Sequence, residues 1–233
     1  TTKKGKKGAL KFNFSSRVSS FDPINKIDVL SADDFRSVIQ NTGNSDFISR
    51  LGDSTTDWQD EIYETAYAIN NSQSLSGGIG EIPFRISMAQ TDQDGILKGD
   101  NFSRTSASLN ISPEFFEGKL KVNVSTRYVE TNNDFANRGA IGSAANFDPT
   151  KPVFNFESVS PFQPAPFLGY YTWLTDQGNK LALSPTNPVA LLNLTEDKST
   201  VNRFIGNFKM DYSILSDLVA SIKHELAKEN KFY

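Results

Sequence analysis

Apolar and polar residues alternate with a period of two through several stretches of this chain. Over residues 9–21 the even positions read Leu10, Phe12, Phe14, Ser16 and Val18, and the odd ones Lys11, Asn13, Ser15, Arg17 and Ser19. Residues 82–91 set Ile82, Phe84, Ile86 and Met88 against Arg85, Ser87 and Thr91. Residues 119–130 oppose Leu120, Val122, Val124 and Tyr128 to Lys119, Lys121, Asn123, Ser125 and Arg127. Residues 203–214 oppose Phe204, Phe208, Met210, Tyr212 and Ile214 to Arg203, Asn207, Lys209 and Asp211. Successive side chains of a strand point to opposite faces, so each stretch predicts a strand with one apolar and one polar side. Weaker alternation marks 67–77 (Tyr67, Ile69 and Leu75, interrupted by Asn71 and Gln73), 104–112 (Ala107, Leu109, Ile111) and 218–227 (Leu218, Ala220, Ile222, Leu226). The expected total is about seven strands, with a helix as the alternative at 225–229. Two short helices are also expected. Ser31 stands three residues before Asp34, ahead of Phe35, Val38 and Ile39, and Asp57, Asp60 and Glu61 crowd the first turn of 57–63.

The connections sort by length. Links after the second, fourth and sixth strands are short, at Gly78–Gly80, Pro113–Gly118 and Leu215–Asp217. Those after the first, third and fifth are longer, at roughly 22–66, 92–103 and 131–202. Short turns on one rim and long loops on the other is the asymmetry of an outer-membrane barrel. The reading is therefore all-β: part of a transmembrane antiparallel β-barrel of about seven strands, with short helices in an extracellular loop. An odd number of strands cannot close a bacterial barrel, and open edges are not tolerated in lipid, so the stretch is expected to belong to a longer chain. The loop 131–202 holds seven of the ten prolines and nine aromatics, including Phe147, Phe154, Phe156, Phe162, Phe167, Tyr170, Tyr171 and Trp173. Disordered linkers are poor in aromatics, so this loop is expected to fold against something. Tyr170, Tyr171 and Trp173 are the candidates for contact with a ligand or a covering partner; the alternative is that they pack the loop on itself.

Composition narrows the chemistry. A net charge of −3 lacks the concentrated basic face that nucleic acid requires. The chain has no cysteine, which removes disulfides, thiolate metal sites and cysteine nucleophiles, and it has one histidine, His224. No catalytic residue, metal or cofactor is assigned. Asp92, Asp94 and Asp100 around Gly95 do not match a calcium loop, whose positions five and six would fall on Ile96 and Leu97; a hairpin turning at Asp94-Gly95 is expected instead. Gly77-Gly78-Ile79-Gly80 lacks the Lys-Ser/Thr of a phosphate loop and reads as a turn. Asp57, Asp60, Glu61 and Glu64 read as one exposed helix end rather than catalytic carboxylates. Lys3 to Lys7 read as a solvated junction, with anionic headgroups or a partner as the alternative. The first residues carry no initiating Met and no apolar signal core, which leaves the location of the protein open. Mean hydropathy is −0.41, and a barrel strand's alternation looks equally mild.

Four sequence stretches resemble the SusC/RagA family of TonB-linked outer-membrane proteins. Thr1-Thr2-Lys3-Lys4-Gly5-Lys6-Lys7-Gly8 is similar to its plug–barrel junction, and Thr56-Asp57-Trp58-Gln59-Asp60-Glu61-Ile62-Tyr63 to its DWxDEI stretch. Gln73-Ser74-Leu75-Ser76-Gly77-Gly78 resembles its SxSGG turn. Thr91-Asp92-Gln93-Asp94-Gly95-Ile96-Leu97-Lys98, followed by Phe102-Ser103-Arg104, resembles a hairpin of the family. The match covers residues 1–130 well, continues more loosely through Ser184-Pro185-Thr186-Asn187-Pro188 and fades after Leu215. It implies residues 1–8 at the end of the plug and 9–233 as the first strands and extracellular loops of the barrel. It further implies an outer-membrane importer of oligosaccharides or peptides, a SusD-like lipoprotein lid, and a TonB complex acting through a plug outside this sequence. The competing readings are a soluble β-sandwich that binds glycans and a glycan-active enzyme domain.

Overall fold

A computed structural model describes residues 3, 5–155, 166–175 and 177–232. Among them the strands are β1 (Lys11–Phe21), β2 (Ala66–Ile79), β3 (Ile82–Asp94), β4 (Asn101–Ile111), β5 (Glu114–Phe115), β6 (Leu120–Asp134), β7 (Lys198–Leu215) and β8 (Leu218–Phe232). The helices are α1 (Ala32–Asn41), α2 (Ser45–Ile48), α3 (Trp58–Ile62), α4 (Gly139–Asn146) and α5 (Pro188–Asn193). The seven long strands form one antiparallel sheet in chain order, and β5 adds a two-residue ladder to β6. Segment 218–227 is strand, not helix, and runs on to Phe232. The short links are cut to Gly80–Glu81 and Ser216–Asp217, with β5 inside the third.

Register decides what each face carries. The pairing Leu109–Ile86 and Leu109–Thr126 puts Leu10, Phe12, Phe14, Leu75, Ile86, Leu109, Val124 and Phe208 on one side of the sheet. Asn13, Ser74, Ser87, Ser108 and Arg127 lie on the other. Among the described residues no second layer covers the apolar side: Phe12 is 65% exposed and Phe14 63%. A contiguous apolar surface of this extent marks a membrane or partner face. It removes the sandwich alternative, which needs a second sheet on that side. The polar side is concave and encloses a cavity of about 800 Å³. Apolar outside and polar inside is the wall of a partial transmembrane barrel, and among the described residues no helix is long and apolar enough to cross a membrane.

Toward the long-loop rim the outer face turns polar. Ser16, Asn71, Gln90, Thr105, Glu130, Asn202 and Asn230 pair in one row across the sheet. The Asn71 that interrupts the alternation of β2 is thus one position of this row. The other interruption, Gln73, donates its Nε2 to Met88 Sδ across the strand pair. At the opposite rim the N-terminal stretch is seated on the wall. Gly5 lies on the backbone of Phe84 with no room for a Cβ, and the N–H of Gly78 donates to the carbonyl of Gly8 at 3.0 Å. Lys7 Nζ reaches Glu81 at 2.9 Å and Glu114 at 3.7 Å, which raises its pKa chiefly through the hydrogen bond to Glu81.

Val124, flanked by Ile111 and Phe208, and its neighbour Asn123 test this assignment of faces. In the full-length parent protein folded into a bilayer, Val124→Arg is expected to cost about 2–4 kcal/mol and Asn123→Arg well under 1. Urea unfolding of the two variants checks this, and equal costs would reject it.

Candidate loop site

The three long loops fold into one small core above the strand ends. Trp58 and Ile62 from α3, Leu97 from the β3–β4 loop, Ala136, Ala140 and Ala144 around α4, and Phe147 are all buried together. Local chemistry places each piece. The Asp57 carboxylate caps α3 by accepting from the N–H groups of Gln59 and Asp60. Ser31 Oγ caps α1 through the Asp34 N–H at 3.2 Å. Asn187 caps α5, whose first residue is Pro188, a ring already fixed at a helical φ. The β3–β4 connection is not a two-residue turn at Asp94-Gly95. Asp94 is the last residue of β3 and Gly95 pairs with Asp100 across a six-residue loop, because Leu97 is drawn into the core to 1% exposure.

Hydrogen bonds sew the first loop to the third. Trp58 Nε1 donates to the Asp148 carbonyl at 2.9 Å, Thr56 N–H to Pro149 at 2.9 Å, and Gly52 N–H to Thr150 Oγ1 at 2.9 Å. Arg36 of α1 donates to the carbonyls of Gly52 and Ser54. Lys151 is buried; its ammonium donates to the Arg50 carbonyl at 2.6 Å and lies 5.4 and 4.8 Å from the ring centres of Tyr171 and Trp173. Burial lowers its pKa, against the opposing pull of Asp148 and Asp53.

The three candidate aromatics separate into two settings. Tyr171 meets Phe147 edge-on at 6.3 Å and Trp173 at 5.7 Å, so both rings belong to the packing of the loop core. Trp173 also borders an open apolar groove of about 270 Å³ with Phe35, Ile39, Phe47, Leu51 and Pro185. Tyr170 stacks instead on Phe154 at 4.9 Å, and its hydroxyl accepts from Asn193 Nδ2 at 2.9 Å. Phe156 and Phe162 lie outside the described residues, as does the side chain of Phe167. Of the groove residues, Phe35 and Ile39 were read in the sequence only as the apolar face of a helix, and Phe47 was not read at all. The signal at Phe35 and Ile39 was their four-residue spacing, which puts both on one face of α1, where they meet Phe47 of α2 at the groove. Asp57 caps the start of α3, Asp60 and Glu61 lie in its first turn with Lys26 paired to Asp60, and Glu64 follows the C-cap Tyr63, so the four carboxylates are spread along the helix rather than gathered as an acid–base pair.

Phe147→Ala removes the ring that joins Trp58 to Tyr171 and is expected to cost about 3–5 kcal/mol, read as faster protease cleavage within 135–197 while the strands stay protected. Burial, followed by the charge of Asp148, pushes the Tyr171 phenol from 10.0 up to about 12. The unfolded loop ionises first, so this stabilising contribution is complete below pH 10 and is lost as pH climbs toward 12. The difference in alkaline absorbance titration between wild type and Tyr171→Phe should show that late phenolate; an ordinary midpoint near 10 would contradict the packing.

With this geometry in place, comparison with known proteins is specific. The chain is 38% identical to the TonB-dependent receptor SusC of Bacteroides thetaiotaomicron, an alignment covering 98% of this chain and 24% of that protein. It is 28% identical to the TonB-dependent receptor P3 of Formosa agariphila, over 99% of this chain and 22% of that protein. Its fold superposes on the RagAB peptide importer in the closed-closed state with a TM-score of 0.61 at 16% identity, covering 99% of this chain and 29% of the solved one. The open-open state gives a TM-score of 0.62. No family model matches the sequence. The chain spans about a quarter of the length of the relatives it matches. An outward apolar wall, a polar concave face, loops gathered at one rim and identity to SusC along nearly the whole chain agree: the chain belongs to the SusC/RagA-type TonB-dependent receptors.

Proposed function

We propose that these residues are the first strands of the barrel of an outer-membrane importer, with residues 1–8 ending the plug. Cargo, an oligosaccharide or a peptide, meets the loop core at the outer rim beneath a SusD-like lipoprotein, and a TonB complex acts through the plug. The observation that carries the reading is the sorted wall: one sheet, apolar outside and polar inside, with every long loop at a single rim. The junction assignment draws support from Gly5, pressed on Phe84 at the short-turn rim, and from Lys3, which borders the concave cavity. Contact with cargo or lid is assigned to Tyr170, Tyr171 and Trp173. Trp173 has the best claim, because one side of its ring borders the open groove. The chain is read as a transporter part rather than an enzyme.

Detergent dependence tests the membrane reading. The full-length parent should require detergent and shift its gel mobility on boiling, while residues 1–233 alone should aggregate, since β1 and β8 leave open edges. Soluble, cooperative folding of 1–233 would overturn it. For the loop, Trp173→Ala in the parent should weaken binding of cargo or lid at least about tenfold while the heat-modifiable barrel persists, the scale of losing one buried aromatic anchor. Unchanged affinity for both would return Trp173 to a packing role alone.

A further inference from the structure

On the middle of the wall the outward polar row is the first of several. Met88, Ala107 and Tyr128 pair as the last apolar row of β3, β4 and β6. Beyond them, toward the long-loop rim, the outward positions read Gln90, Thr105 and Glu130, then Asp92, Ser103 and Asn132, then Asp94, Asn101 and Asp134. Strand β7 continues the first of these rows with Asn202 and the second with Thr200. None of these residues is buried. Strands that continue the wall add to its edges at β1 and β8, and anything that fills the concave side lies behind it. The outer face of β3, β4 and β6, in the middle of the sheet, is therefore turned to whatever surrounds the barrel, continuous with the apolar band below it.

The side chains of this belt hold one another in place. Asn101 Nδ2 donates to Asp94 Oδ1 at 3.1 Å and to Asp92 Oδ1 at 3.3 Å. Asn132 Nδ2 reaches Ser103 Oγ and Glu130 Oε1, each at 3.4 Å, and its Oδ1 accepts from Thr200 Oγ1 at 2.8 Å. The Tyr128 hydroxyl lies 3.0 Å from Asn202 Oδ1 and 3.1 Å from Glu130 Oε2. A ring in the apolar band with its hydroxyl among polar groups is the posture of an aromatic at a membrane interface. A surface that recognises anionic phosphate headgroups carries lysine and arginine. By register, the outward positions of β1–β4 and β6 carry neither; lysine enters this face at Lys198, opposite Asp134, and at Lys228 on β8. Carboxylates repel phosphate. Together with carboxamides they both accept from and donate to hydroxyls, and an O–H donated to a carboxylate makes a short, strong hydrogen bond.

We propose that this belt binds the sugar hydroxyls of glycolipid headgroups in the leaflet around the long-loop rim. Asn132 and Asn202 supply the central amides, Asp92 and Glu130 the acceptors that also turn phosphate away, and Tyr128 marks the depth at which acyl chains give way to sugar. The inference rests on the membrane part of the import reading and adds a lipid partner to it.

The test places the full-length parent in phosphatidylcholine nanodiscs with one guest lipid, digalactosyl diacylglycerol or phosphatidylglycerol, and reads the lipid that stays bound by native mass spectrometry. The sugar lipid should be retained at least about tenfold better than the phosphate lipid, with or without a chelator. Asn132→Ala with Asn202→Ala should remove that preference by releasing the sugar lipid. Asp92→Asn with Glu130→Gln keeps shape and acceptors, so it should still hold the sugar lipid while retention of the phosphate lipid rises. Heat-modifiable gel migration shows that each variant still folds. Equal retention of the two guests by the wild type overturns the inference, as does a preference that the Ala pair leaves intact. Retention of phosphatidylglycerol that a chelator abolishes overturns it too, and shows the carboxylates joined to phosphate through a divalent cation. A parent that enters the bilayer and shows no preference refutes the headgroup contact alone; a parent that stays soluble without lipid or detergent refutes the membrane reading first.

Discussion

Everything in this structure depends on an unbroken antiparallel register across seven long strands. The side-chain period of a strand is two, so a slip of one residue between any two neighbours would carry a whole apolar row inward and a row of serines and arginines outward. From β1 to β7 the ladder runs without a shift; the sole irregularity lies beside the β7–β8 turn, between Ser213 and Leu215. With register fixed, three properties follow together. The outer surface can be solvated by hydrocarbon, the concave surface can stay wet, and the loops emerge in a set order at one rim.

The loop core depends on that order. Its central residues come from three separate connections: Trp58 and Ile62 from the first, Leu97 from the second, Phe147 and the alanines of α4 from the third. None of these segments buries enough surface to hold a fold alone. Set side by side by strands spaced about 5 Å apart, they make a core in which Trp58 and Phe147 rings meet at 4.5 Å. A packed platform results at the long-loop rim of the wall.

The strands were legible in the sequence because the pleat writes itself as alternation, and even the flaws were informative: Asn71 belongs to a polar row on the outer face. The Ser31 cap was legible because a cap is a local hydrogen bond between near neighbours, whereas Asp57, read as a first-turn acid, is the N-cap itself. Helix α4 was not. Gly139 and Gly142 argue against a helix, and only the burial of Ala140 and Ala144 against α3 and α5 holds it. The β3–β4 loop was misread for the same kind of reason, since Asp94-Gly95 has turn chemistry but Leu97 and Asp100 answer to distant partners. Of the candidate aromatics, a run of rings was visible in sequence, whereas the division between Tyr170 on Phe154 and the Tyr171–Trp173 pair beside Lys151 required tertiary structure.

The bond from Gly52 to Thr150 joins residues 98 apart in the chain, and its neighbours from Thr56 and Trp58 span nearly as far. Each ladder of the long strands, by comparison, joins strands consecutive in the chain, although the β1–β2 and β6–β7 ladders enclose the first and third loops. The wall can therefore zip hairpin by hairpin, whereas the loop core has to wait until β1 through β6 stand in place. A finished loop core is thus a report on the wall beneath it: strands paired out of step would leave Trp58, Leu97 and Phe147 on separate loops with no common core to fill.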